Sequence, residues 1–180
     1  MNIDFERVRY RIATPEDQAL LDDMSITATF GARMPEEDFP ETQEFLTEYP
    51  HIAEFTKDFG KDSDLGLIAV DPQGEPVGAI WGRDYPRDEN DDAMQTHPFE
   101  ITLAVREKMR GQGIGRQLLD SFATMAWLNN RSEVGLVVHY KNPARRLYEA
   151  AGYVPIVGDD DIEARVDENY IPMVRTLDDA

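Results

Sequence analysis

The chain has 180 residues, 41% hydrophobic and 30% charged, a composition that fits one compact domain and is too apolar for wholesale disorder. Its 36 acidic and 18 basic residues give a formal charge of -18, which excludes a nucleic-acid partner, because phosphate backbones are bound by neutralising them. With no cysteine there is neither a disulfide framework nor thiolate chemistry, and no apolar run approaches the roughly 20 residues of a spanning helix, so a cytoplasmic protein without a membrane partner is expected.

Residues 8–14, VRYRIAT, alternate apolar and polar side chains and predict a first strand with one buried face. Thr14 ends it and caps a helix, with Pro15 at the first helical position and Glu16 and Asp17 at the positive end of the dipole. From 24 to 60 the pattern is irregular; helices are expected over 41–48 and 50–59, with breaks at Pro35, Pro40 and Pro50. Two apolar runs within 65–83, joined by DPQGEP, predict a hairpin. Residues 84–98 are acidic and aperiodic, and read as a solvated loop. FEITLAV (99–105) restores strand alternation. Ile114, Leu118, Leu119, Phe122, Met125 and Ala126 then recur at helical spacing through about Asn129. EVGLVVHY is a buried strand, NPARRLYEAAG a helix ended by Gly152, and YVPIV and YIPMVRTL are the last strands. The order β α α β β β α β α β β describes an α/β (α+β) chain, read as a single domain over 1–180.

The stretch REKMRGQGIGR (106–116) stands between a strand and a helix. Such a junction gathers unpaired backbone N–H groups at the positive end of a helix dipole, which attracts phosphate. Gly111, Gly113 and Gly115 let the backbone turn tightly and approach a bulky anion. Arg106, Lys108, Arg110 and Arg116, less Glu107, sum to a local +3 within a chain of -18. The spacing fits neither a Walker loop nor a dinucleotide fingerprint. On the residues alone, a phosphate cradle and a plain turn with solvated arginines both satisfy it.

Two motifs carry a resemblance: Arg110-x-x-Gly113-x-Gly115 after a strand ending in LAV (103–105), and NPARRLYEAAGY (142–153). Together they resemble the Gcn5-related N-acetyltransferase (GNAT) family, sharply over 99–153 and only topologically before residue 60. The resemblance implies a mixed, mostly antiparallel sheet of six to seven strands, splayed between the fourth and fifth and flanked by about four helices. It implies acetyl-CoA as acyl donor and no metal. The donor's arm would lie in the splay against the main chain of Leu103, Ala104 and Val105, with an amide near Leu103 polarising the thioester carbonyl. Arg110, Gly111, Gln112, Gly113, Ile114, Gly115 and Arg116 would hold the pyrophosphate. Asn142 would bond the arm, although its side chain also suits helix capping. Lys141, Arg145 and Arg146 lie near enough to assist, or belong to a solvated helix face.

By the same resemblance Tyr148 is the general acid, against the plainer reading of a core tyrosine. Glu100 is the candidate base, with His97 and ordered water as its rivals. The function implied is direct acetyl transfer to a primary amine of a small molecule or protein. A non-catalytic acyl-CoA-binding module and an interaction scaffold of the same fold are the competing readings. The acceptor would bind across 24–59 and 84–98, an acidic region, with Phe30, Arg33, His51 and Trp81 as candidate walls. Homodimers are frequent in this family, so a homodimer is a further expectation.

Overall fold

The computed structural model describes residues 8–84, 99–156 and 169–177. Seven strands, β1 (Arg9–Ile12), β2 (Leu65–Val70), β3 (Pro76–Asp84), β4 (Phe99–Val105), β5 (Glu133–His139), β6 (Val154–Pro155) and β7 (Tyr170–Thr176), form one sheet in the order β1-β2-β3-β4-β5-β7-β6. Every neighbouring pair is antiparallel except β4 and β5, which run parallel. Among the described residues five α-helices flank it: α1 (Gln18–Phe30), α2 (Thr42–Glu48), α3 (Pro50–Ala53), α4 (Ile114–Leu128) and α5 (Ala144–Ala150). This is the mixed, mostly antiparallel architecture that the resemblance implies.

The near-continuous apolar runs of β2 and β3 are buried because helices cover both faces of the sheet. On one face Leu118, Leu119, Phe122 and Ala126 of α4 join Phe99, Ile101, Val134 and Leu136 in the larger core. On the other, Leu21 and Met24 of α1 pack with Ile68, Ala79, Trp81 and Ala104. The hairpin turn is fixed by Asp71, whose Oδ1 accepts the N–H groups of Gln73 at 2.9 Å and Glu75 at 2.8 Å. Gly74 supplies the left-handed residue of that turn, at φ 94°.

Four elements differ from the sequence reading. The four residues of β1 are all exposed, not buried on one face. This strand sits at the sheet edge, bonded only to β2, with both of its faces uncovered. Thr14 does open a capping box, but onto one 3-10 turn, Pro15–Asp17, before α1 begins. The helix expected over 50–59 stops at Ala53, and the chain continues in turns to Asp58, which takes φ 52°. Of the expected strand YVPIV only Val154 and Pro155 pair, at the opposite edge. The loop reading of 84–98 falls, after Asp84, outside the described residues, as does His97.

The splay has a simple origin. β4 and β5 pair at Glu100 and Gly135, with no further partners through Val105 and His139. β4 keeps its whole register with β3, from Asp84 opposite Phe99 to Gly78 opposite Val105. Just past its end, the Arg106 N–H donates to the Val77 carbonyl at 2.9 Å. Main-chain groups alternate sides along a strand, so the even residues of β4 bond β3, and those of Leu103 and Val105 point into the gap.

Candidate active site

The gap opens into a cleft of about 530 Å³. Leu103, Ala104 and Val105 form one wall; Thr27, Ala28, Gly31 and Ala32 close it on the α1 face; Ile114, Gly115, Ala144, Leu147 and Tyr148 close it on the α4 and α5 face. The cleft therefore passes through the sheet. It gathers Arg110, Gly111, Gly113, Arg116 and Asn142 as well, so that Gln112 and Glu100 are the described site expectations outside its lining. The Gln112 side chain turns back to the Lys108 carbonyl at 3.3 Å. Glu100 is buried at 3% exposure, opposite Arg83 in the β3–β4 register.

The glycine loop takes its shape from two left-handed residues, Gly111 at φ 73° and Gly113 at φ 83°, the latter forming the N-cap of α4. The first bond of the helix runs from the Gln117 N–H to the Gly113 carbonyl, 3.0 Å. Among the described residues, the amides of Gly111 through Arg116 consequently have no main-chain acceptor. Gly115 serves a different end: a Cβ there would lie 3.1 Å from Leu147 Cδ2, so its absence lets α4 and α5 approach each other.

The four loop cations do not pool their charge as the sequence sum suggests. Arg106 turns away to α1, pairing with Asp23 and donating to Thr27 Oγ1 at 3.0 Å. Arg116 binds Asp120 at 2.7 Å and the Ala150 carbonyl, the latter at 2.9 Å. Arg110 clasps two carbonyls across the cleft, Val105 at 2.9 Å and Gly31 at 2.7 Å. Lys108 and Arg110 alone of the four lack a carboxylate partner among the described residues.

Tyr148 lies on α5 against Tyr153, ring centroids 5.9 Å apart, and reaches the cleft lining. Burial pushes its phenol up to about 12, so it stays protonated at neutral pH. Burial also raises Tyr153. Asn142 does cap: its Oδ1 accepts the Ala144 N–H at 2.9 Å while the residue lines the cleft. Arg145 belongs to the helix surface, paired with Glu149 at 2.7 Å.

Of the expected walls, Trp81 is core, 1% exposed, its indole N–H donating to the Phe55 carbonyl at 3.1 Å. Phe30 joins Phe39, Phe45 and Tyr49 in an aromatic cluster past the end of α1, with Arg33 over its ring at 5.7 Å. His51 is exposed against Tyr49. Sequence reasoning missed His139, the last residue of β5. Its ring packs against Tyr140 and Tyr170, with centroids 5.1 and 5.4 Å away, and its Nδ1 accepts the Lys141 N–H at 3.2 Å. Its place at a strand end just before Asn142 was the signal available. Among the described residues no cluster of three or more His, Asp or Glu could hold a metal ion.

The profile of the acetyltransferase (GNAT) family matches residues 30–153, more than half of the chain. No curated protein sequence matches it significantly. Solved structures share its fold at 16% identity. PaiA N-acetyltransferase from Thermoplasma acidophilum, in complex with coenzyme A, has a TM-score of 0.63 over 94% of this chain and 99% of that one. YncA from Salmonella typhimurium, with acetyl-CoA, gives 0.59 over 97% and 96%. A phosphinothricin acetyltransferase from Sinorhizobium meliloti, with acetyl-CoA, gives 0.60 over 94% and 88%. A sheet parted between β4 and β5, a glycine loop opening α4 and the profile match over both motifs agree: the chain belongs to the acetyltransferase (GNAT) family.

Proposed function

We propose that the protein transfers acetyl from acetyl-CoA directly to a primary amine. The observation that carries this is the run of amides from Gly111 to Arg116 with no main-chain acceptor among the described residues, at one end of a cleft lined by the β4 edge that faces the gap. The amides suit a pyrophosphate at the positive end of α4. The N–H and C=O groups of Leu103 and Val105 suit an extended amide-bearing arm, in the manner of a missing strand. Val105 keeps one carbonyl lone pair for it, the other being taken by Arg110. When bound, acetyl-CoA supplies an activated acetyl thioester. Relatives of this fold solved with coenzyme A or acetyl-CoA support the same donor.

Within the site, the Leu103 amide stabilises negative charge on the thioester oxygen. Tyr148 holds a proton on its hydroxyl for the departing thiolate. A lysine-like amine has to lose a proton first, at a cost of about 4.6 kcal/mol at pH 7. Glu100, on the same strand as Leu103 although outside the cleft lining, takes that proton through water.

The test combines calorimetry with acetyl-CoA and a thiol-release assay over a panel of amines. Acetyl-CoA binding with turnover of at least one amine is expected. Tyr148→Phe lowers kcat by roughly 10²–10⁴ while leaving acetyl-CoA affinity in place. Binding without turnover on any amine leaves a sensing module, and no binding at all leaves a scaffold; either result ends this reading.

A further inference from the structure

Of the hydroxyls on α1, Ser25, Thr27 and Thr29, the middle one is used differently from its neighbours. Ser25 and Thr29 donate to the carbonyls four residues back, Leu21 at 2.9 Å and Ser25 at 2.8 Å, which spends their hydrogens within the helix. Thr27 makes no such bond among the described residues. Its Oγ1 accepts from Arg106 Nη1 at 3.0 Å, and Arg106 is itself held by Asp23. A hydroxyl carries one hydrogen and two lone pairs, so accepting from Arg106 leaves the Thr27 hydrogen to be given elsewhere, turned away from the cation. The guanidinium also polarises the hydroxyl and makes it the better donor.

Thr27 is 4% exposed and lines the cleft. So buried a donor has little bulk solvent to bond, and the cleft is where an acceptor can come from. Position along the cleft narrows that acceptor. The Thr27 carbonyl takes the Gly31 N–H at 2.9 Å, and the Gly31 carbonyl takes Arg110 Nη1 at 2.7 Å. This turn of α1 is thus bonded by Arg106 and Arg110, both from the loop that follows β4. Leu103, whose amide is assigned to the thioester, lies earlier on β4, away from the loop. The part of the donor that lies at the loop end of the gap is the arm between thioester and diphosphate, and that arm carries amides. Thr27 is the polar side chain of a wall that otherwise offers Ala28, Gly31 and Ala32.

We infer that the Thr27 hydroxyl donates to an amide oxygen of the donor's pantetheine arm, so that α1 as well as β4 recognises the donor. The inference rests on the acetyl-transfer reading above and deepens it. Thr27 touches the donor away from the reacting atoms, so its bond acts on binding and not on the chemical step.

Calorimetry with CoA and with 3′-phospho-ADP, the nucleotide of CoA without its arm, tests it. Thr27→Val keeps the side-chain shape and removes the hydroxyl. It should weaken CoA by roughly tenfold and leave 3′-phospho-ADP close to the parent value, as loss of one bond from a polarised donor implies. The ratio of the two affinities is read within each variant, so a slackening of the fold caused by the unmatched Arg106 cancels. Thr27→Ala repeats the loss, and Thr27→Ser, which keeps the hydroxyl, restores the parent ratio. Thr29→Val, at a hydroxyl already spent on Ser25, leaves the ratio as it was. In the thiol-release assay Thr27→Val raises KM for acetyl-CoA and keeps kcat. A parent-like ratio in Thr27→Val, an equal loss for CoA and 3′-phospho-ADP, or a fall in kcat in place of the rise in KM overturns the inference. Failure of the parent protein to bind CoA and acetyl-CoA overturns the underlying reading instead.

Discussion

Gly113→Ala separates backbone strain from ligand binding. Gly113 sits at φ 83°, and a Cβ added there meets nothing within 4 Å. No clash contributes, and the whole cost is that of the left-handed conformation, about 1–2 kcal/mol for a residue with a side chain. In a chain of this size each 1 kcal/mol shifts Tm by about 2–4 °C, so thermal unfolding followed by circular dichroism should show a loss of about 2–8 °C. Gly74 offers the matched control, at φ 94° with equally open space, in the β2–β3 turn away from the cleft. Gly74→Ala should lose a similar Tm and keep its acetyl-CoA affinity. Gly113→Ala should lose roughly tenfold or more of that affinity as well, because relaxing the strained residue rotates the amides beside it. Parent-like acetyl-CoA binding by Gly113→Ala refutes the cradle; an unchanged Tm in both variants refutes the strain argument.

Asp64 accepts two bonds from Arg83, at 3.0 and 2.6 Å, and the N–H groups of Gly60 and Lys61 at 2.9 and 3.0 Å. With the two side chains 5% and 1% exposed, Asp64→Ala strands a buried guanidinium and should cost about 3–5 kcal/mol in urea unfolding. The pair Arg83→Met and Asp64→Leu together should cost less than that single change. For pH, burial raises the Tyr148 phenol from 10.0 to about 12, so its contribution is complete below pH 10 and is lost as pH climbs toward 12. That loss is on the order of 2–3 kcal/mol, and Tyr148→Phe should flatten the alkaline stability profile by this much.

The legible parts of this chain are those where one local pattern decides the outcome. Apolar runs located β2, β3 and β5, alternation located β4, and helical spacing located α4, because the apolar side chains of these elements are committed to the core. The same alternation misled for β1, since a pattern does not reveal whether any helix lies over an edge strand. Three glycines at alternate positions looked alike in the sequence, yet two take left-handed turns and the third spaces α4 from α5. Nor could spacing assign the loop cations. Arg116 finds Asp120 one turn along its own helix, whereas Arg106 finds Asp23, which is 83 residues earlier. His139 escaped notice because its place at the end of β5, near the gap, depends on which strands part, a property of the fold and not of its neighbours in the chain.

A passage open on both sides of the sheet has a kinetic consequence. Donor and acceptor need not exchange places, so both can be resident when the acyl group moves, and no amino-acid side chain has to carry it in between. Double-reciprocal plots in the two substrates should therefore intersect, and protein incubated with acetyl-CoA alone should gain no 42 Da adduct.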